Sequence, residues 1–334
     1  MKQKSVRTQF AGALLSYCEQ RNISAIQLCS RAGISLDSIL GNDAGDLSHS
    51  DLRSLWREAV KLSGDPLFGL HFGESLQLAA LGIVGEVIKS SPSIGAALDA
   101  ACSLTPQITD AVSATVANTT EKFSVIISAT HETISDVSRH VADFIMVFCV
   151  HELDGLVLRK VTPLNVKIPG PHFNSGEYER VLRCKPEFGS NHYQITFDSV
   201  LYHVPVLTAN YEAQQSLLNR AMAAKATKMS SNAEFCSKVR DYLSGNAYLG
   251  IPTLQEVAAN FHMTARSLQR RLRSESTSYQ QIADSIRKEL AVDYMKTGKY
   301  PVKEISAILG YNEVSAFTRA FKRWTGQTPV TYNA

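Results

Sequence analysis

Apolar residues recur along this chain at two different spacings, and the spacing changes with position. The first third reads mostly helical. In LRSLWREAVKLSG (52–64), Leu52, Leu55, Ala59 and Leu62 fall on one helix face, and Gly64-Asp65-Pro66 ends the run. The middle mixes periods. FSVIISAT (123–130), LNVKIPG (164–170) and YQITFD (193–198) are β-branched or alternating runs bounded by turn residues, which predicts strands. Between the first two, DVSRHVADFIMVFCVHEL (136–153) reads as a buried helix. The pattern predicts an α+β N-terminal domain over residues 1–222, closed by a helix at NYEAQQSLLNRAM (210–222). Residues 223–234, AAKATKMSSNAE, are small, polar and basic with no apolar period, and read as a linker. Residues 235–334 turn wholly helical and predict an all-α C-terminal domain.

That C-terminal domain holds two copies of one pattern. In TLQEVAANFHMTARSLQRRLRSE (253–275), Thr253 and Glu256 form a capping box after Pro252. A first helix is expected to end near Phe261, with a tight turn at His262-Met263 and a second helix from Thr264. Leu268 and Leu272 face inward on it, one turn apart. In PVKEISAILGYNEVSAFTRAFKRW (301–324), Pro301 suits a first helical turn. Glu304-Ile305-Ser306-Ala307 repeats Glu256-Val257-Ala258-Ala259 at an offset of 48, while Phe317, Arg319 and Phe321 repeat Leu268, Arg270 and Leu272 at 49. The extra residue falls in the turn, Gly310-Tyr311-Asn312. Two helix-turn-helix units, 253–275 and 301–324, are therefore expected, joined by a long helix from Tyr279 to Thr297. That helix carries Ala283, Ile286, Leu290 and Tyr294 inward and stops at Gly298. Its nineteen residues span roughly 28 Å, which fits two visits to a major groove about one turn apart.

The second helix of each copy is two-faced. Val314, Phe317, Phe321 and Trp324 are spaced by 3, 4 and 3 and form one apolar stripe. Ser315, Thr318, Arg319, Lys322 and Arg323 form the other face. In the first copy Arg266, Gln269, Arg270 and Arg273 lie opposite the leucines. B-DNA displays paired acceptors on guanine and a donor–acceptor pair on adenine in its major groove. Arg matches the first and Gln the second, so Arg266, Gln269, Arg270 and Arg319 are candidate base readers. Arg273, Lys322 and Arg323 sit later on their helices and are candidate phosphate partners; Ser315 and Thr318 suit either role. A bundle with solvated cationic faces explains one such unit. Two units in the same internal order favour DNA.

Charge sharpens this picture. The chain of 334 residues has a net charge of +3, but residues 225–334 carry 16 Lys and Arg against 9 Asp and Glu, while residues 1–224 carry 18 against 22. A basic tail on a mildly acidic body fits a polyanionic partner. No apolar run is long enough to span a membrane, and FAGALL near the N-terminus is too short for a signal peptide; a cytoplasmic location is expected. The six cysteines have no zinc-ligand or redox spacing and read as free thiols. His140 and His151, eleven apart, are too distant to share a metal directly. Arg139, His140 and Asp143 are more simply used in ion pairing within the body than in binding an anionic effector. Gly245 to Gly250 has P-loop spacing but is followed by Ile251-Pro252, and no G-x-S-x-G elbow occurs. No nucleophile–base constellation supports an enzyme, and no cofactor or metal is implied. SAIQLCSRAGISLDSIL (24–40) also looks like a helix-turn-helix, but no cation stands between Ile34 and Leu40, so it reads as scaffold.

Residues 253–332 resemble the C-terminal DNA-binding domain of AraC/XylS-family transcription regulators. The specific matches are Pro301, Ile305, Gly310-Tyr311, Ser315-Ala316-Phe317, Arg319, Phe321-Lys322-Arg323, Gly326, Pro329 and Tyr332. Ser276 stands where the family usually has glycine, and Asn333 where a basic residue usually follows. GDPLFGLHFGESL (64–76), GIVGEVIKSSPSIGAALDA (82–100) and the region from Pro171-His172 to Leu207 resemble the arabinose-binding-like N-terminal domain of one branch of that family. The name does not make arabinose the ligand. The resemblance implies a regulator that binds double-stranded DNA and senses a small-molecule effector or dimerises through its N-terminal domain. RNA polymerase and a second copy of the chain are the protein partners it implies. Leu207, Leu217, Leu218 and Met222 are candidates for a dimer helix. A constitutive or architectural DNA-binding protein without an effector is the alternative, and the base-matching arginines weigh against it.

Overall fold

The structure is a computed structural model that describes residues 4–41, 45–130, 135–157, 159–207, 235–247, 251–298, 300–311 and 313–332. The chain divides into two compact units: Met1–Val157 with Val161–Leu207, and Leu158–Lys160 with Thr208–Ala334. The expected helix at 210–222, the linker at 223–234, and Leu217, Leu218 and Met222 lie outside the described residues.

Unit 1 is α+β. Helices α1 (Val6–Gln20), α2 (Ala25–Ala32), α3 (Asp37–Leu40), α4 (His49–Ser63) and α5 (Phe68–Gly73) come first. A 3-10 turn (Leu78–Leu81), α6 (Ile83–Lys89) and α7 (Ile94–Ile108) follow. Then come β1 (Val112–Asn118), β2 (Lys122–Ala129), α8 (Asp136–Val157), β3 (Asn165–Pro169), α9 (Ser175–Leu182), β4 (Glu187–Ser190), β5 (Tyr193–Asp198) and α10 (Ser199–Tyr202). The five strands form one sheet in the order β1-β2-β5-β3-β4, antiparallel except for β3 with β4. Helix α4 starts three residues before the apolar run at 52, because Ser48 and Asp51 make a reciprocal capping box; it ends before Gly64, at φ 61°. The α2–α3 segment packs on α1 and α4, with Leu28 and Ile39 buried, as scaffold requires.

The core of this unit is aromatic. Phe10, Trp56, Phe68, Phe72 and Phe144 stack edge and face at centroid distances of 5.3–6.4 Å. Helix α5 lies against α8 closely enough to need glycine twice, four residues apart. A Cβ on Gly69 would overlap the His140 carbonyl oxygen, and one on Gly73 would press on Val147 and the Phe144 carbonyl. Beside that crossing runs a buried polar network. His71 Nδ1 bonds Asp65 Oδ2 at 2.5 Å and Nε2 bonds Glu177 Oε1 at 3.0 Å. Arg180 donates to both Glu74 oxygens and to Glu177, and Tyr178 donates to Asp143 at 2.9 Å. These bonds fasten α9 to α5 and α8. Arg139 donates to the Pro66 carbonyl, and His140 Nδ1 accepts the Gly69 N–H. Among the described residues Arg139, His140 and Asp143 are thus held by hydrogen bonds and not by the expected ion pairs: the first two hold backbone, and Asp143 holds the Tyr178 hydroxyl.

Unit 2 is helical. It contains α11 (Phe235–Asn246), α12 (Leu254–Asn260), α13 (Ala265–Ser274), α14 (Tyr279–Thr297), α15 (Val302–Ile308), α16 (Val314–Thr325) and α17 (Pro329–Tyr332). One hydrophobic cluster runs through it and includes Leu268 and Leu272 of α13, Phe317 and Phe321 of α16, and Ile286, Leu290 and Tyr294 of α14. Helix α14 buries Ile282, Ala291 and Met295 as well as the four residues its spacing indicates. Among the described residues no helix is long and apolar enough to cross a membrane, and no group of three or more His, Cys, Asp or Glu could hold a metal ion.

The polar network makes unit 1 pH-sensitive. Burial disfavours the charged form of His71, but the hydrogen bonds to Asp65 and Glu177 outweigh it and lift the pKa from 6.5 to about 9. A histidine raised in this way contributes stability that is complete below about 6.5 and lost as pH rises through about 9. Urea unfolding of unit 1 is expected to show a loss on the order of 2–3 kcal/mol between pH 6.5 and 9. His71→Gln is expected to lose most of that slope. An unchanged slope in the variant would contradict the assignment.

Candidate nucleic-acid interface

Each of the pairs α12–α13 and α15–α16 is joined by a turn that a left-handed residue makes possible. In the first pair α12 is followed by its C-cap Phe261, and His262 takes φ 53°; in the second α15 is followed by its C-cap Leu309, and Gly310 takes φ 78°. The hydrogen bonds repeat one for one. Met263 N–H donates to Ala258 O at 2.9 Å and Tyr311 N–H to Ser306 O at 3.0 Å. His262 N–H donates to Ala259 O at 2.8 Å and Gly310 N–H to Ala307 O at 3.0 Å. Both are Schellman closures, which satisfy the last carbonyls of the first helix and turn the chain at once. The offset is 48 through the turn and 49 from the next N-cap, because Thr264 corresponds to Glu313. Thr264 caps α13 by accepting from Ser267 N–H; Glu313 makes no side-chain cap.

The structure differs from the sequence pattern in two details. Pro301 is not in the first helical turn: at ψ 151° it is the extended residue before Val302. The apolar stripe of α16 does not include Val314, which is 38% exposed, and Trp324 is only half-buried. Val314 is the entry residue of the helix, where the chain has not yet reached the core. Ala320 joins Phe317 and Phe321 inside instead.

The candidate residues stand on matching faces. Arg266, Gln269, Arg270 and Arg273 are all exposed on α13, spaced i, i+3, i+4 and i+7. At an offset of 49 they correspond to Ser315, Thr318, Arg319 and Lys322 on α16. Ser315, Arg319 and Lys322 are exposed; Thr318 is half-buried and donates its hydroxyl to the Val314 carbonyl at 2.9 Å, so only its acceptor side remains. Among the described residues, Arg266, Arg270, Arg273, Arg319 and Lys322 have no ion-pair partner. Arg323 differs: it is exposed but lies 3.6 Å from Asp284 of α14, which also accepts from Arg287 at 3.1 Å.

Some residues that position this surface could not be found by local pattern. Glu275, at the end of α13, accepts from Phe235 N–H at 2.8 Å and Cys236 N–H at 2.7 Å, so it caps α11 from forty residues away. Burial opposes its charge, but those backbone bonds hold its carboxyl below the usual range. Arg271 lies 4.2 Å over the Phe235 ring. Both fasten α13 to α11 and leave the opposite face open. Capping by Glu275 is legible only after folding brings it to a helix start.

With the geometry in view, the similarities to known proteins can be placed on it. Residues 23–206 match the family described as the arabinose-binding domain of AraC transcription regulators, N-terminal, and residues 257–334 match a helix-turn-helix domain. The chain is 28% identical over 336 residues to the ornithine utilization regulator of Pseudomonas aeruginosa, covering 98% of this chain and 96% of that one. It is 42% identical over 81 residues to the HTH-type transcriptional regulator VqsM of the same species, covering 24% of this chain and 25% of that one. The crystal structure of the transcriptional regulator CdpR from Pseudomonas aeruginosa aligns over 94% of this chain and 96% of its own at 22% identity and a TM-score of 0.41, a likeness too loose to carry an argument. The class is therefore a helix-turn-helix, DNA-binding regulator of transcription and not an enzyme. The chain belongs to the AraC family of transcription regulators, with an N-terminal domain of the arabinose-binding type.

Backbone strain in unit 2 gives a direct check on these turns. Ser276, after α13, also adopts a left-handed conformation, at φ 56°, where a side chain is disfavoured. Ser276→Gly is expected to stabilise unit 2 by about 0.5–1 kcal/mol, and Gly310→Ala to destabilise it by about 1 kcal/mol. Urea denaturation reads both. The same sign for both changes would contradict the left-handed assignments.

Proposed function

We propose that this chain is a sequence-specific regulator that reads double-stranded DNA through two helix-turn-helix units, residues 253–275 and 301–324, joined by α14. Residues 235–334 form the DNA-binding domain, and residues 223–234 link it to an effector-sensing and dimerising domain at 1–222. Arg266, Gln269, Arg270 and Arg319 contact base edges. Arg273, Lys322 and Arg323 contact phosphates, with Ser315 and Thr318 serving either. Partners under this reading are DNA, a small-molecule effector, a second copy of the chain and RNA polymerase. The supporting observation is the correspondence of two exposed faces at one offset on helices whose opposite faces share a core.

The faces suit the two tasks differently. The first unit offers two arginines and a glutamine near the start of its second helix, where base edges are reached. The second offers one arginine preceded by two hydroxyls, Ser315 and Thr318, a face of lower charge. Arg323 reaches a phosphate by leaving Asp284, and Arg287 keeps that carboxylate paired.

In vitro selection from random duplex DNA tests this reading. Two short conserved blocks about 10 bp apart are expected. Arg270→Ala and Arg319→Ala each cost about 1–3 kcal/mol on the selected site and relax one base position, in different blocks. Lys322→Ala lowers the salt dependence by about one counterion without changing the motif. If either arginine variant weakens all sequences equally, the base-reading role is wrong. A motif selected by residues 225–334 alone but not by the full chain would show that the N-terminal domain controls binding. The same motif at the same affinity from both, under all conditions, would contradict effector control.

A further inference from the structure

Unit 1 contains a cavity of about 90 Å3, open to solvent on one side. It lies between the 3-10 turn at Leu78–Leu81, α6, α7, α8 and the first two strands. Leu78, Val84, Val125 and Phe144 form part of its buried wall, and Ala101, Ile108, Ile145 and Phe148 are half-exposed at its rim. The wall is nearly all hydrocarbon. Its two hydroxyls each make one bond already: Thr105 Oγ1 donates to Ala101 O at 3.0 Å, and Thr109 Oγ1 accepts from Ala111 N–H at 3.1 Å. Its two thiols are neutral, because burial lifts Cys102 to about 11 and Cys149 higher still. Glu152 is the one carboxylate among the described lining residues, and its Oε1 accepts from Leu78 N–H at 3.1 Å. Among the described residues, no Lys, Arg or His lines the cavity.

This chemistry selects its occupant. A sugar carries a hydroxyl on nearly every carbon, and each one buried here without a partner weakens binding about tenfold or more. A zwitterionic amino acid could set its ammonium against Glu152, but its carboxylate would then be buried in hydrocarbon beside a second carboxylate with no cation among the described lining residues to pair it. An apolar group meets no such penalty and gains contact with the whole wall. A dry cavity of about 150 Å3 with similar walls holds benzene. The space here is smaller and partly open, so it takes a short alkyl chain or part of a ring, with the remainder of the molecule in the open rim.

We propose that this cavity is the effector site and that its effector is a small neutral molecule that binds through an alkyl chain or a single aromatic ring, neither a free sugar nor a zwitterionic amino acid. The proposal rests on the effector reading of the N-terminal domain given above. It is tested by calorimetric melting of the full-length protein with 1-hexanol, toluene, L-arabinose or L-ornithine. At ten times its Kd, 1-hexanol or toluene raises the unit 1 transition by about 2–5 °C, and the two polar probes leave it unmoved. Ala101→Met, which narrows the rim, removes at least half of the shift. Cys102→Leu repeats the test from the neighbouring wall position should Ala101→Met fail to fold. Stabilisation by arabinose or ornithine that the rim variants abolish would overturn the apolar assignment and leave effector control standing. No shift with either apolar probe, or a shift that both variants retain, would overturn it as well; effector control is then decided separately, by the full-chain against 225–334 comparison.

Discussion

Each helix pair of unit 2 depends on one residue held in the left-handed region. His262 and Gly310 let the chain reverse within a Schellman closure, so that the second helix leaves the first at a fixed angle. The angle matters because the second helix has two obligations. Leu268 and Leu272, or Phe317 and Phe321, must reach a shared core, and the cations one half-turn away must then point outward. A different turn would rotate that division. The repeat of the same two hydrogen bonds at an offset of 48 shows one solution used twice, once with glycine and once against the cost of a side chain.

The core of unit 2 ties the two copies to one frame. Helix α14 contributes Ile286, Leu290 and Tyr294 to a cluster that both second helices enter. Glu275 and Arg271 hold α13 from behind, through the start of α11 and the Phe235 ring. Unit 1 is built on a different principle. An aromatic core and a glycine-dependent crossing of α5 on α8 are closed by the network of His71, Asp65, Glu177, Arg180 and Glu74. That network is separate from the cavity between α7 and α8, whose described lining is mostly hydrocarbon. Under the effector proposal, a ligand there competes with packing rather than with ion pairs.

Much of this was legible before folding, for reasons that differ by region. The pairs α12–α13 and α15–α16 were readable because period, caps and turn residues agreed, and because the duplication let each copy check the other. The strands at 122–129, 165–169 and 193–198 showed as β-branched runs. β1, with the alternation of VSATVAN, and β4, only four residues long, gave too weak a signal and were missed. Val314 was misplaced because periodicity is blind to where a helix first meets its core. The buried network, the cap from Glu275 and the cavity join residues tens to over a hundred positions apart, and no local pattern encodes such meetings.

We propose that two duplicated helix pairs sharing one hydrophobic core engage DNA together. Hydroxyl-radical footprinting of the full-length protein on its selected site tests it most directly, because it reports the backbone each helix covers. Two protected patches on one face of the duplex, centred about one helical turn apart, are the expected result. A single patch that Arg319→Ala leaves unchanged would contradict the account, since α16 would then be packed for the core alone.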